Sequence, residues 1–166
     1  MILYLLNMVN RDFTKHLQDI TMHHREKTHI RKSYSGKAMA ICVSDQMNFA
    51  IDIEERRFRS KETVRFFLEY FKSFTINYNV CDGNLEWFYK VWTAMESYYK
   101  LTGLGFNVQK DFILDLETKS IYYNENISAY FDFFCIKNFL ICLCSNISFS
   151  KHDVKLNCYG WSECNN

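Results

Sequence analysis

The sequence predicts an α+β domain in which an antiparallel sheet packs against one long helix. Three observations predict it. Apolar and β-branched residues alternate with polar ones, or run together briefly, at 49–54, 112–114, 120–123, 129–136 and 139–144, which reads as strands. The stretch from Leu85 to Leu101 keeps a helical repeat, with Val91, Met95 and Tyr98 on one stripe. Val64, Phe67, Leu68 and Phe71 follow the i, i+3, i+4, i+7 spacing of a second, amphipathic helix. A sheet of about three to five strands covered by the longer helix satisfies all three.

Taken in order, residues 1–30 show little patterning. Met1 to Met8 is apolar, and His16, His23, His24 and His29 follow among mixed charges. A zinc cluster is one reading of these histidines. A half-exposed helix and loop is favoured, because the spacing matches no familiar ligand set. Residues 31–37 form a polar loop with turn residues, and Ala38 to Ser44 a small apolar strand. The turn-forming Asp45-Gln46-Met47-Asn48 leads to a strand over Phe49 to Glu54, so the two strands are expected as a hairpin with a loop of about four residues. Ser60 caps the amphipathic helix, and 73–83 is looser. Asn84 caps the longer helix, and Gly103 closes it in the left-handed conformation. Asn124-Glu125-Asn126 and Lys137-Asn138 are turns between the later strands. Residues 150–166 are a polar tail without a clear element.

Composition bounds the function. The chain has 166 residues, 48% of them apolar, enough for a core. Proline is absent and glycine occurs only five times, so turns fall to Asn, Asp and Ser. A net charge of +1 excludes a general nucleic-acid binder, which would carry a large basic excess. The apolar run 139–144 is far too short to span a bilayer, so no membrane is expected as partner. The seven cysteines lack a C-x-x-C pair, and no secretory signal precedes them; reduced thiols in a cytoplasmic protein are expected.

Two short segments carry the chemistry. Asp52 and Glu54 stand at alternate positions of a strand, so both point to one face. Trp92, Glu96 and Lys100 stand at successive helical turns, on a stripe beside the core-facing one. Three carboxylates and an ammonium that converge suit a hard divalent cation and a phosphate. The bland alternatives are an exposed strand edge for the first pair and a surface i, i+4 pair for Glu96 and Lys100.

The residues resemble the 4'-phosphopantetheinyl transferases of the surfactin-synthetase-activating type. That family has a strand motif Gly-x-Asp-x-Glu, which here reads Ala50-Ile51-Asp52-Ile53-Glu54. Its helix motif, Trp-x-x-Lys-Glu-(Ser/Ala)-x-x-Lys-x-x-Gly, here begins at Trp92 and runs through Met95, Glu96, Ser97 and Lys100 to Gly103. Its upstream Ser-His-Ser-Gly loop is matched by Ser33-Tyr34-Ser35-Gly36. Each motif alone is unspecific, but the set in this order covers about 31–144. Ala50, Tyr34 and Met95 depart from the family's Gly, His and Lys.

The resemblance implies a Mg²⁺-dependent transfer of the phosphopantetheine arm of coenzyme A to a serine of an acyl or peptidyl carrier protein. Asp52, Glu54 and Glu96 would hold the metal. Glu96 and Lys100 would be catalytic. Arg31, Lys32, Ser33, Tyr34, Ser35 and Gly36 would bind coenzyme A. Arg56, Arg57, Arg59 and Lys61 would guide an acidic carrier protein. The alternative is an impaired member that binds coenzyme A, metal or carrier without efficient transfer. By the same resemblance, residues 1–30 are a remnant of the family's first half or an N-terminal extension, 31–149 the transferase domain and 150–166 the tail. The first pseudo-repeat is then incomplete, and an uncovered apolar face favours self-association.

Overall fold

Among the described residues, ten strands form two sheets. The computed structural model describes residues 1–24, 28–45, 48–70, 74–77, 85–104 and 112–161. The first sheet contains β1 (Ile2–Asn7), β2 (His29–Ser35), β3 (Ala38–Ser44) and β10 (Lys155–Tyr159), in the order β10-β1-β3-β2. The second contains β4 (Phe49–Glu55), β5 (Phe74–Asn77), β6 (Phe112–Asp115), β7 (Ser120–Tyr123), β8 (Asn126–Ile136) and β9 (Phe139–Ser145), in the order β4-β9-β8-β7-β6-β5. Pairing is antiparallel except for β1 with β10 and β5 with β6. The helices are α1 (Phe13–His23), α2 (Lys61–Tyr70) and α3 (Leu85–Thr102).

Side-chain alternation sets the layers. Leu3, Leu5, Ala38, Ala40 and Cys42 of the first sheet pack against Phe49, Ile51, Ile53, Ile141 and Leu143 of the second. The reverse face of the second sheet presents Phe131, Leu140, Cys142 and Cys144 to Val91, Met95 and Tyr98 of α3. The reverse face of the first presents Tyr4, Leu6, Met39 and Ile41 to Ile20, Leu17 and Phe13 of α1. The strands β3 and β9 are therefore buried on both faces and read as unbroken apolar runs.

Several sequence expectations change. The hairpin between β3 and β4 does not form: β3 pairs with β1 and β2, while β4 pairs with β9. Both edges of β3 are taken, so Ile51 and Ile53 pack across onto its sheet rather than alongside it. The polar loop at 31–37 is instead the edge strand β2 followed by a two-residue turn at Gly36-Lys37. An edge strand tolerates polar residues on both sides, which hid its periodicity. The apolar run at the start is β1, between β10 and β3, and the polar tail contributes β10 and a short 3-10 turn at Lys151–Asp153. One antiparallel sheet becomes two mixed sheets.

Other elements stand where they were read. Ser60 Oγ accepts the Thr63 N–H at 3.2 Å at the start of α2. Gly103, with φ +69, donates its N–H to the Tyr99 carbonyl after α3. Asn124, Glu125 and Lys137 take positive φ in tight turns. Phe71, Asn84, Gln46, Met47, Cys81 and Cys164 lie outside the described residues, as does most of 73–83.

Candidate functional site

The two sheets meet along β2 and β4, each an edge strand of its own sheet. Hydroxyls close this seam in place of a backbone ladder. Ser33 Oγ donates to Asp52 Oδ1 at 3.0 Å, and Ser35 Oγ donates to Glu54 Oε2 at 3.1 Å. Ser35 Oγ also accepts the Glu55 N–H at 2.9 Å. The turn beyond needs Gly36 for its φ of +55; a Cβ there would meet the Glu55 carboxylate and lie 2.6 Å from Arg57 Nη2.

The strand period places Asp52 and Glu54 on the α3 side of β4. Ile51 and Ile53 on the other side lock that register, because a one-residue slip would bury both acids between the sheets. Helix α3 brings the remaining groups. Lys100 Nζ lies 2.6 Å from Asp52 Oδ1 and 3.0 Å from Ser33 Oγ. The Trp92 indole N–H donates to Glu54 Oε1 at 3.2 Å. Glu54 is thus held at both oxygens, one by Trp92 and one by Ser35. Asp52 is 4% exposed, and its Oδ2 is buried with no hydrogen-bond partner among the described residues.

The three acids share one electrostatic neighbourhood. Burial raises the Asp52 pKa, against the opposing charge of Lys100. Burial, then the nearby Asp52 carboxylate, raises that of Glu54. Glu96 is pushed up to about 7 by burial and then by Asp52, with Lys100 opposing and Glu54 adding to the rise. They do not form a ready-made coordination shell: among the described residues, no three His, Cys, Asp or Glu side chains are gathered closely enough to hold a metal. Lys100 pairs with Asp52 and not with Glu96 one turn away, and its ammonium sits where a cation would be drawn.

The donor set nonetheless fits a hard dication. It offers carboxylate oxygens only, one of them buried and unpartnered among the described residues, and burial, then neighbouring carboxylates, raises the pKa of Glu54 and Glu96.

The other sequence candidates divide by strand face. Arg31, Ser33 and Ser35 lie opposite Cys42, Ala40 and Ala38, on the face turned toward the second sheet. The Arg31 guanidinium lies 5.6 Å from the Phe49 ring centroid. Lys32 and Tyr34 lie opposite Ile41 and Met39, on the α1 face, and Tyr34 is 56% exposed. Met95 is fully buried in the core, so that position faces the sheet and not the cleft. Arg56 donates to the Lys137 carbonyl at 2.5 Å, Arg57 pairs with Glu55, and Arg59 Nε donates to the Tyr89 hydroxyl at 3.4 Å. Lys61 is exposed at the start of α2.

Sequence reading gave Trp92 no role and passed over Tyr89. Trp92 stands one turn before Glu96, so its placement beside the acids was available from spacing. Tyr89 Oη donates to the Arg57 carbonyl at 2.7 Å and accepts the Arg57 N–H at 2.8 Å, a contact no local pattern signals. With Glu54, Arg59, Phe67, Phe88 and Trp92 it lines a small aromatic cavity of about 50 Å³ beside the acids.

The family model of the 4'-phosphopantetheinyl transferase superfamily matches residues 48–152, which include β4, α3 and the three acids. The chain belongs to this superfamily. No curated protein matches the sequence. Among the described residues, no helix is long and apolar enough to cross a membrane.

Proposed function

We propose that the chain transfers the 4'-phosphopantetheine arm of coenzyme A to a serine of an acyl or peptidyl carrier protein, with Mg²⁺ held by Asp52, Glu54 and Glu96. The observation that supports this reading is the contact of Lys100 with Asp52 at the seam of two sheets and a helix, with Glu54 and Glu96 within its electrostatic reach, inside the segment that matches the superfamily. When bound, the metal supplies charge neutralisation on the coenzyme A pyrophosphate. Asp52, half-fixed by Ser33, and Glu54, fixed by Trp92 and Ser35, offer oriented oxygens.

Glu96 takes the proton of the acceptor serine. It does so directly or through a water, as a positioned carboxylate can. The serine oxygen then forms its bond to phosphorus as the bond to the bisphosphate nucleotide breaks. Lys100 meets the charge that develops on the departing oxygen. Arg31, Ser33, Ser35 and the backbone of Gly36 lie along the seam and contact coenzyme A phosphates; Lys32 and Tyr34 would reach it only around the sheet edge. Arg57 and Lys61, both exposed, are basic groups available to an acidic carrier.

A second reading is favoured by one observation: the Lys100 ammonium sits on Asp52, the acid with the unpartnered oxygen. A chain locked in that pairing would bind coenzyme A or carrier without efficient transfer. Incubation with coenzyme A, Mg²⁺ and several apo carrier proteins, followed by intact mass measurement, separates the two. Gain of the arm by a carrier supports transfer. Calorimetric binding of coenzyme A with no carrier modified, while an active member of the superfamily modifies the same carriers, establishes the second reading.

A further inference from the structure

A second charged cluster lies on the opposite face of the same sheet. Asp52 pairs across β4 and β9 with Cys142, and Cys142 pairs with Phe133. Asp132, the preceding residue of β8, therefore points away from α3, two strands from Asp52. Its side chain is 9% exposed. Two donors bond its Oδ1, Lys119 Nζ at 2.8 Å and the Phe133 N–H at 2.8 Å, and the Lys151 ammonium forms a looser ion pair with it at 3.6 Å.

One carboxylate offsets only one of the two ammonium charges. Both lysines remain nearly half exposed, 44% for Lys119 and 49% for Lys151, on the wall of an open cavity of about 500 Å³. Lys119 is delivered from left-handed backbone, φ 54, a conformation that costs a lysine energy and that persists only where its surroundings hold it. Its carbonyl is tied to the Phe131 N–H at 2.9 Å. Lys151 comes from the opposite wall, its ammonium 5.5 Å from the Phe134 ring centroid. Thr118, Ser148 and His152 supply hydroxyl and imidazole donors around the same space.

We propose that this cavity binds a phosphate-type anion between Lys119 and Lys151, with Asp132 as the internal brace that orients both ammonium groups. A buried carboxylate with two lysines leaves one net positive charge facing the cavity. Ammonium groups backed by hydroxyl donors suit phosphate, as free ion or as a small phosphomonoester. The site is separate from the transfer cleft and does not depend on the transferase reading.

The test is thermal unfolding of the full chain in sodium phosphate or glycerol phosphate against sodium chloride at matched ionic strength, with Lys151→Ala, Lys151→Arg and, for the transfer cleft, Arg31→Ala. Both phosphates raise the wild-type melting temperature beyond chloride. Lys151→Ala raises the half-saturating concentration by about tenfold or more, Lys151→Arg restores most of it, and the Lys151→Ala effect persists in the Arg31→Ala background, where phosphate binding at the transfer cleft is removed. Lys151 is half exposed, so its truncation leaves the fold intact. Equal binding of the two probes assigns the site to free phosphate, and tighter binding of the ester to a phosphorylated small molecule. A shift no larger than chloride's, a shift untouched by Lys151→Ala, or one abolished by Arg31→Ala overturns the proposal.

Discussion

The Lys100 ammonium bonds Asp52 Oδ1 at 2.6 Å and the Ser33 hydroxyl at 3.0 Å, so one cation ties α3 to both sheets at their seam. Breaking that tie by Lys100→Met leaves a buried carboxylate without its counter-charge. The lysine side chain is 41% exposed, so the loss is discounted for solvent screening to about 1–3 kcal/mol. Urea unfolding measures it. On the proposed metal site Mg²⁺ and the ammonium would compete for Asp52, so added Mg²⁺ is expected to stabilise the variant more than the wild type. Equal stabilisation would show that the two cations do not share that carboxylate.

Glu96 gives the site a pH signature. Its folded carboxyl titrates near about 7, against 4.5 when unperturbed, because burial and two neighbouring acids disfavour its charge. Between those values the folded chain keeps a proton that the unfolded chain has released. The group's contribution to stability is therefore full below the lower value and is lost as pH rises through about 7. Glu96→Gln removes this dependence. The variant gains on the wild type as pH rises, by roughly 2 kcal/mol at about pH 8 once the shift is discounted for the side chain's partial exposure to solvent. Unfolding curves at several pH values read the gap directly, and a gap independent of pH would mean that Glu96 is already charged in the fold.

Ser35 bridges the seam by accepting from the Glu55 N–H and donating to Glu54. Ser35→Ala leaves both partners without that bond and costs about 1–2 kcal/mol of stability. It also frees one oxygen of Glu54, so its effect on metal affinity adds to that of Trp92→Phe, which frees the other. Mg²⁺ titration of the single and double variants checks this; an affinity that none of them alters would remove Glu54 from the metal site.

Gly36 is needed for its φ of +55; the side-chain ends of Glu55 and Arg57 beside it can swing clear of a Cβ. Gly36→Ala is expected to lower stability by about 1–3 kcal/mol. Thermal unfolding tests it, and a neutral result would mean that the turn shifts freely.

The site was more legible than the frame around it. Asp52, Glu54, Trp92, Glu96 and Lys100 could be placed from two periodicities, because a strand repeat of two and a helix repeat of 3.6 fix which side chains share a face. The partner of Lys100 could not. Spacing within the helix suggested Glu96, but the buried Asp52 offers a stronger counter-charge, and its approach depends on tertiary packing. The strand β2 was hidden because Arg31, Lys32, Ser33, Tyr34 and Ser35 are polar on both sides, as an edge permits. The strands β1 and β10 lie far apart in sequence, and their parallel pairing leaves no local mark. For the same reason the halves of the seam, Ser33 with Asp52 and Ser35 with Glu54, could be named but not joined.

The most direct measurement is a calorimetric titration of Mg²⁺, with coenzyme A present, into the wild type and into Asp52→Asn. Carboxylates that share one ion give a saturable single-site isotherm for the wild type and an affinity weaker by about tenfold or more for the variant. Superimposable isotherms, or no saturable heat in the wild type, would contradict a common cation site at Asp52, Glu54 and Glu96.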